Sequence, residues 1–193
     1  MVMVHPRRLG PILLLALALL GAVAGGGAAM TLSVAQLTTL KADMAADGTL
    51  SQLPQNSDSA DAIAGVYNLL SAPDFWAWRT IVPAAEYRGT GGIVWTEVDA
   101  LTVGKARIFE WLTGQLTLPI NAADSNVRGG ITDTFAAGTT TRANLILMGR
   151  RKLTRAEKLY ATGTGSTASP ATMAPGAEGP LSIANILAAW ALP

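Results

Sequence analysis

From Met30 onward, apolar residues fall at helical spacing between short polar breaks. Val34, Leu37, Leu40 and Met44 recur every three or four residues, the interval of one helix face. Ser33 and Gln36 ahead of them have the spacing of a capping box. Leu32 and Leu37 have that of a hydrophobic staple, and Asp47-Gly48 supplies a stop. The polar string Gln55 to Ser59 offers N-caps to a second helix whose Ile63, Val66, Tyr67 and Leu70 point one way, and Ser71-Ala72-Pro73 ends it.

Phe75, Trp76 and Trp78 then place three rings within four residues, too many to share one face of a helix or a strand. The spacing predicts a short core-filling helix with Phe75, Trp78 and Val82 inward. One ring is left for a surface or subunit contact, which makes Trp76 and Trp78 candidate contact residues. Glu86 to Trp95, with Gly89 and Gly91-Gly92, reads as a loose hairpin or loop. A third long helix is predicted over roughly Asp99 to Thr113, with Leu101, Lys105, Ile108, Phe109 and Leu112 on one stripe and Gly114 as its stop. Lys105 on that stripe is read as snorkelling. Val127, Ile131 and Phe135 mark a helix over 126–135 despite Gly129-Gly130. Thr139 to Thr141 cap a helix over 142–148, and Thr154 with Glu157 repeats the capping-box spacing, giving one kinked helix or two in succession.

Composition changes beyond Ala161. Gly163 to Pro180 is almost all Gly, Ser, Thr, Ala and Pro, which predicts an extended, flexible arm. Ser182 can cap a short tail helix whose Ile183, Ile186, Leu187 and Trp190 form an apolar face. That face requires a partner, either its own domain or a neighbouring subunit, where it would act as an assembly hook. The fold class expected is therefore mainly α: a compact multi-helix domain over 30–162, then an arm and tail helix over 163–193.

The first 29 residues are a separate question. Arg7 and Arg8 precede the apolar run Ile12 to Leu20, and small residues follow, the order of a secretory signal. Met30 directly after this stretch is an alternative translation start that opens straight into the first helix. No later stretch is apolar enough to cross a bilayer.

Chemistry narrows the reading further. The 193 residues contain no cysteine and one histidine, His5, so the usual zinc ligands, thiol nucleophiles and imidazole acid–base groups are missing after the leader. Carboxylate pairs remain at Asp43/Asp47 and Glu97/Asp99. Their helix-end positions suit solubility and the helix dipole better than acid–base work. Neither a cofactor nor a metal site is expected, and no enzymatic activity. The formal net charge of +1 leaves local patches as the only electrostatic features. The densest lies between Arg142 and Lys158, six basic residues against Glu157 alone. Its Arg150, Arg151, Lys152, Arg155 and Lys158 are candidates for contact with phosphates, non-specific DNA contact included, or with an acidic partner. A plain solvated helix face fits them equally.

The run RRKLTRAEKLYATGTGSTASPATM, Arg150 to Met173, resembles the C-terminal part of small proteins encoded among the virion-structure genes of tailed bacteriophages and prophages of high-GC hosts. Trp78-Arg79-Thr80 and the stretch Leu101 to Ile108 resemble the same proteins, and the likeness covers most of Met30 to about Trp190. It implies a helical, non-enzymatic component of the head–tail neck or of the tail. Such a protein works by ring assembly with its own copies and neighbouring phage structural proteins, in a virion put together in the host cytoplasm. The leader departs from that pattern, and under this resemblance Met30 is the expected start. An exported envelope or periplasmic binding protein, with the leader cleaved after Ala24 or Ala29, is the competing expectation.

Overall fold

The computed structural model describes residues 28–193, so the greater part of the leader lies outside the described residues. The chain is mainly helical. Helices α1 (Val34–Ala46), α2 (Ser57–Tyr67), α3 (Ala84–Arg88), α4 (Trp95–Asp99), α5 (Val103–Leu112), α6 (Ser125–Thr134), α7 (Thr140–Met148), α8 (Arg155–Lys158) and α9 (Ile183–Ala191) are joined by four short strands. These are β1 (Trp76–Trp78), β2 (Arg150–Lys152), β3 (Ala161–Thr162) and β4 (Thr172–Met173). Among the described residues, no helix is long and apolar enough to cross a membrane.

Caps set the helix boundaries where the side chains predict them. Ser33 with Gln36, Thr154 with Glu157 and Ser182 with Asn185 each form a reciprocal capping box, and Asn56 accepts from the Ser59 amide at the start of α2. The stripes mostly point inward as well: Leu40, Met44, Ile63 and Tyr67 are buried, whereas Val34 and Leu70 turn outward.

Apolar side chains collect in two bodies of core. The first joins α1, α2, α8 and α9 through Leu40, Met44, Ile63, Tyr67, Tyr160 and Ile186. The second joins α3 to α7 through Tyr87, Phe109, Ile131, Phe135 and Leu145, with the Phe109 and Phe135 rings edge to face at 5.1 Å. Between them lies a seam of Ala77, Leu153 and Ala171.

That seam is where the structure departs most from the sequence reading. Phe75 to Trp78 form no helix. Trp76, Ala77 and Trp78 pair antiparallel with Lys152, Arg151 and Arg150. On the other side, Trp78 N–H donates to Ala171 O at 2.9 Å and Ala171 N–H to Trp76 O at 2.8 Å. A strand suits these residues because aromatic side chains favour a pleated, half-buried surface and because both backbone edges find partners. Strand alternation also resolves the crowding of rings. Trp76 and Trp78 share one side, Ala77 is buried on the other, and Phe75 packs against the Ala77 seam. All three rings are half-buried, so none of them is the fully exposed ring that the crowding predicted.

The helix predicted over Asp99 to Thr113 is α5, which starts later, at Val103, and Glu86 to Trp95, read as a hairpin or loop, carries the end of α3, a turn and the first residue of α4. The extended arm is also corrected. Residues 163–181 lie along the body of the protein: Gly165 sits where a Cβ would meet the Phe75 ring, and Ala171, Ala177 and Leu181 are buried. β4 pairs with β3, and Thr31 N–H donates to Gly176 O at 2.8 Å. Backbone pairing of this kind orders a segment that has few large apolar groups of its own.

Candidate interaction surface

Each sequence-predicted contact residue can be followed to its place. Arg151 lies on β2 and gives two parallel bonds to Glu157, 2.7 and 2.8 Å, and a third to Glu178 at 3.1 Å. Glu157 is buried, and its carboxylate also accepts from the Gly179 and Thr154 amides. Burial alone would raise its pKa, but Arg151 and these amides outweigh it and hold the carboxyl below its ordinary value. Arg155 bridges Asp43 and Asp47 at 3.1 and 3.0 Å and lies 4.4 Å from the Tyr67 ring centre. Lys152 pairs with Asp74 at 2.6 Å beside the Trp76 ring, and Lys158 sits 5.5 Å from the centre of the Phe75 ring. Arg150 donates to the Ile146 and Thr167 carbonyls.

The basic stretch is thus no single free face. A strand followed by a one-turn helix sends its side chains in different directions, and most of them fasten other parts of the chain. Three of the four candidate carboxylates are engaged in the same way, and Asp99 is exposed. Asp43 and Asp47 hold Arg155, and Glu97 accepts from the Thr140 and Thr141 amides at 2.9 and 2.7 Å, so it caps α7 from a distant helix. The Thr141 and Thr140 bonds lower the pKa of Glu97.

The tail helix docks on its own domain. α9 packs on α1 and α2 with Ile186 fully buried and Trp190 half-buried, while Ile183 and Leu187 are 39% and 40% exposed. Asn68, the C-cap of α2, fixes the approach with a pair of bonds to the Leu181 backbone, 2.7 and 2.9 Å. Trp76 and Trp78 are covered by cations: Arg128 stands 4.5 Å from the Trp78 ring centre and Lys152 5.6 Å from that of Trp76.

One exposed apolar surface, on α5, was not singled out by the sequence. On α5 only Phe109 is buried. Val103 and Trp111 are each 79% exposed and Ile108 is 44% exposed, so the inward stripe is narrower than predicted, and Lys105 is exposed along with Ile108. Trp111 follows Glu110 and precedes Leu112 and escapes a helical count because it lies off the apolar stripe. Its signal is that displacement: a large aromatic on the polar side of an amphipathic helix.

Directly after α5 the backbone makes a strained turn. Gly114, Gln115 and Leu116 have φ of 51°, 56° and 64°, three left-handed residues in a row, and the two that are not glycine cost about 1–2 kcal/mol each. Buried groups hold the turn in place. Thr113 Oγ1 accepts from the Leu116 amide at 3.2 Å, and the buried Tyr87 hydroxyl donates to Leu118 O at 2.7 Å. Desolvation raises the pKa of that hydroxyl and keeps it a donor. The turn leaves Leu118 59% exposed at the same end of α5 as Trp111. Beside α5, on its α4 and α6 side, Lys105, Leu101, Phe135 and Thr139 line an open groove of about 270 Å³.

No known protein family, curated protein or solved structure matches the chain.

Proposed function

We propose that this protein is a non-enzymatic structural component of a tailed-phage virion, in the head–tail or tail region, that acts by assembly with copies of itself and with neighbouring virion proteins. The observation that carries the reading is Trp111, 79% exposed on a helix with only one buried residue and followed by a turn that stores strain. Exposed aromatics of this size dominate protein–protein contacts when covered. Strain is retained where the surrounding structure over-determines it. The engaged state of the basic stretch and of Asp43, Asp47 and Glu97 supports contact by shape over binding of phosphate or acid–base chemistry.

The virion part of the reading rests on the sequence resemblance between Arg150 and Met173. Light scattering of the purified full chain over a concentration series tests the assembly part. Mass rising with concentration, or on mixing with portal or neck proteins encoded beside it, is the expected result. A monomer under all of these conditions overturns it. A ribosome-binding sequence just upstream of Met30 with portal or tail genes adjacent agrees with the virion assignment; recovery of a leader-cleaved chain from the periplasm favours the exported alternative.

A further inference from the structure

We infer that two copies of this chain pair through α5 in a two-fold, antiparallel contact that seats Trp111 of each copy over Gly104 of the other; this rests on the assembly reading above and assigns its first contact. Gly104 and Trp111 are seven residues apart, two helical turns, so they lie on one stripe of the outward face. Gly104 carries no side chain and a Cβ built there meets nothing within 4 Å, so the outward row of side chains has an open gap, or notch, at this position. The helix therefore carries a notch near its start and a knob near its end. Turning a second copy end over end about a point between Arg107 and Ile108 sets each knob over the other's notch.

Charge favours the same pairing. Arg107 and Glu110 are both exposed on one flank of that stripe, and neither has an ion-pair partner among the described residues. In the antiparallel arrangement that flank faces its own counterpart. Arg107 of one copy then lies about two residues, or about 3 Å, from the level of Glu110 of the other, within reach of an arginine side chain. A surface that offers both halves of a steric fit and both halves of an ion pair is complementary to itself, the property an isologous interface requires. Its extent is small. A ten-residue helix is about 15 Å long, and a contact of that length stays well below the roughly 800 Å² per partner of a stable complex, so the pairing is weak alone and gains strength from other contacts in an assembly.

The absence of cysteine from the sequence makes the test direct. Ile108→Cys places the only thiol beside the two-fold axis, and Asp133→Cys places one on the exposed part of α6 as a collision control. Mild oxidation of the full chain should link Ile108→Cys into a covalent dimer and leave Asp133→Cys largely monomeric. Adding Gly104→Gln fills the notch with a good helix former, and it should lower dimer yield roughly tenfold, the effect of losing about 1.4 kcal/mol of contact. The same substitution should leave the melting temperature unchanged or higher. Equal cross-linking of the two single-cysteine chains, or no effect of Gly104→Gln, overturns the α5 contact. If the unmodified chain still gains mass with concentration in that case, the assembly reading stands on a different surface. If it stays monomeric, both fall.

Discussion

Arg151 and Glu157 meet as a two-point ion pair inside the protein, with N–O distances of 2.7 and 2.8 Å and the carboxylate side chain only 4% exposed. Arg151 belongs to β2 and Glu157 to α8, and the same carboxylate holds the amide of Gly179. One buried acid thus fastens the strand at the seam, the cap of α8 and the C-terminal segment. Glu157→Gln keeps the shape but leaves Arg151 without its main partner, and should destabilise the fold by about 3 kcal/mol. Urea unfolding at neutral pH measures it.

The same carboxyl makes stability depend on acid. Its folded pKa lies below the ordinary 4.5, as does that of Asp47 below 3.8, where the Leu50 amide bond is the largest cause. A depressed carboxylate contributes stability that is complete above its unfolded pKa and is lost as pH falls through the folded value. Stability should therefore be flat above about pH 5 and fall below about pH 4. The fall should be shallower in Glu157→Gln, as a series of urea midpoints from pH 7 to pH 3 would reveal.

Trp111→Ala separates folding from assembly. At 79% exposure the ring contributes little to the core, so the melting temperature should hold while the concentration-dependent gain in mass is lost. A large drop in melting temperature would place Trp111 among the structural residues instead.

Two glycines of opposite character make a paired prediction. Gly179 has φ of 113°, and a Cβ there would stand 2.2 Å from Ala28 O, so Gly179→Ala should cost more than about 1 kcal/mol. Gly104→Ala meets no neighbour and should stabilise α5 by about 0.5–1 kcal/mol. Thermal melts of the two variants should move in opposite directions.

Tyr87→Phe removes the hydroxyl that holds Leu118 O and should cost about 1 kcal/mol. Amide exchange should quicken in the turn over 113–118 with little change in α1 and α2, which belong to the other body of core.

Helices were legible wherever the signal was local. Ser33, Thr154 and Ser182 announce their caps by side-chain type and spacing, and the inward residues of α1 and α2 follow from the period. What escaped depends on partners far along the chain. Phe75 to Trp78 fit a helix or a strand by composition, and only the backbone of residues 150–152 and 171 decides for a strand. The segment after Gly163 lacks large apolar groups and reads as an arm. It is ordered by amides and carbonyls, which carry no sequence signal. The basic stretch misleads for a related reason: the acids that neutralise it, Asp43, Asp47, Asp74 and Glu178, are remote in sequence. The exposed face of α5 was hidden because Ile108 counts toward an inward stripe until the neighbours of α5 are known.

The seam has a consequence for how the polypeptide emerges during synthesis. Ala77 is flanked by Arg151 on one side and Ala171 on the other, both from the last quarter of the chain. Loop closure over such separations is slow, so α1, α2 and the Trp76–Trp78 segment leave the ribosome long before the strands that will enclose them exist. Until residue 171 has cleared the exit tunnel, both edges of the Trp76–Trp78 segment lack their native partners, and the nascent chain has its greatest need of a chaperone.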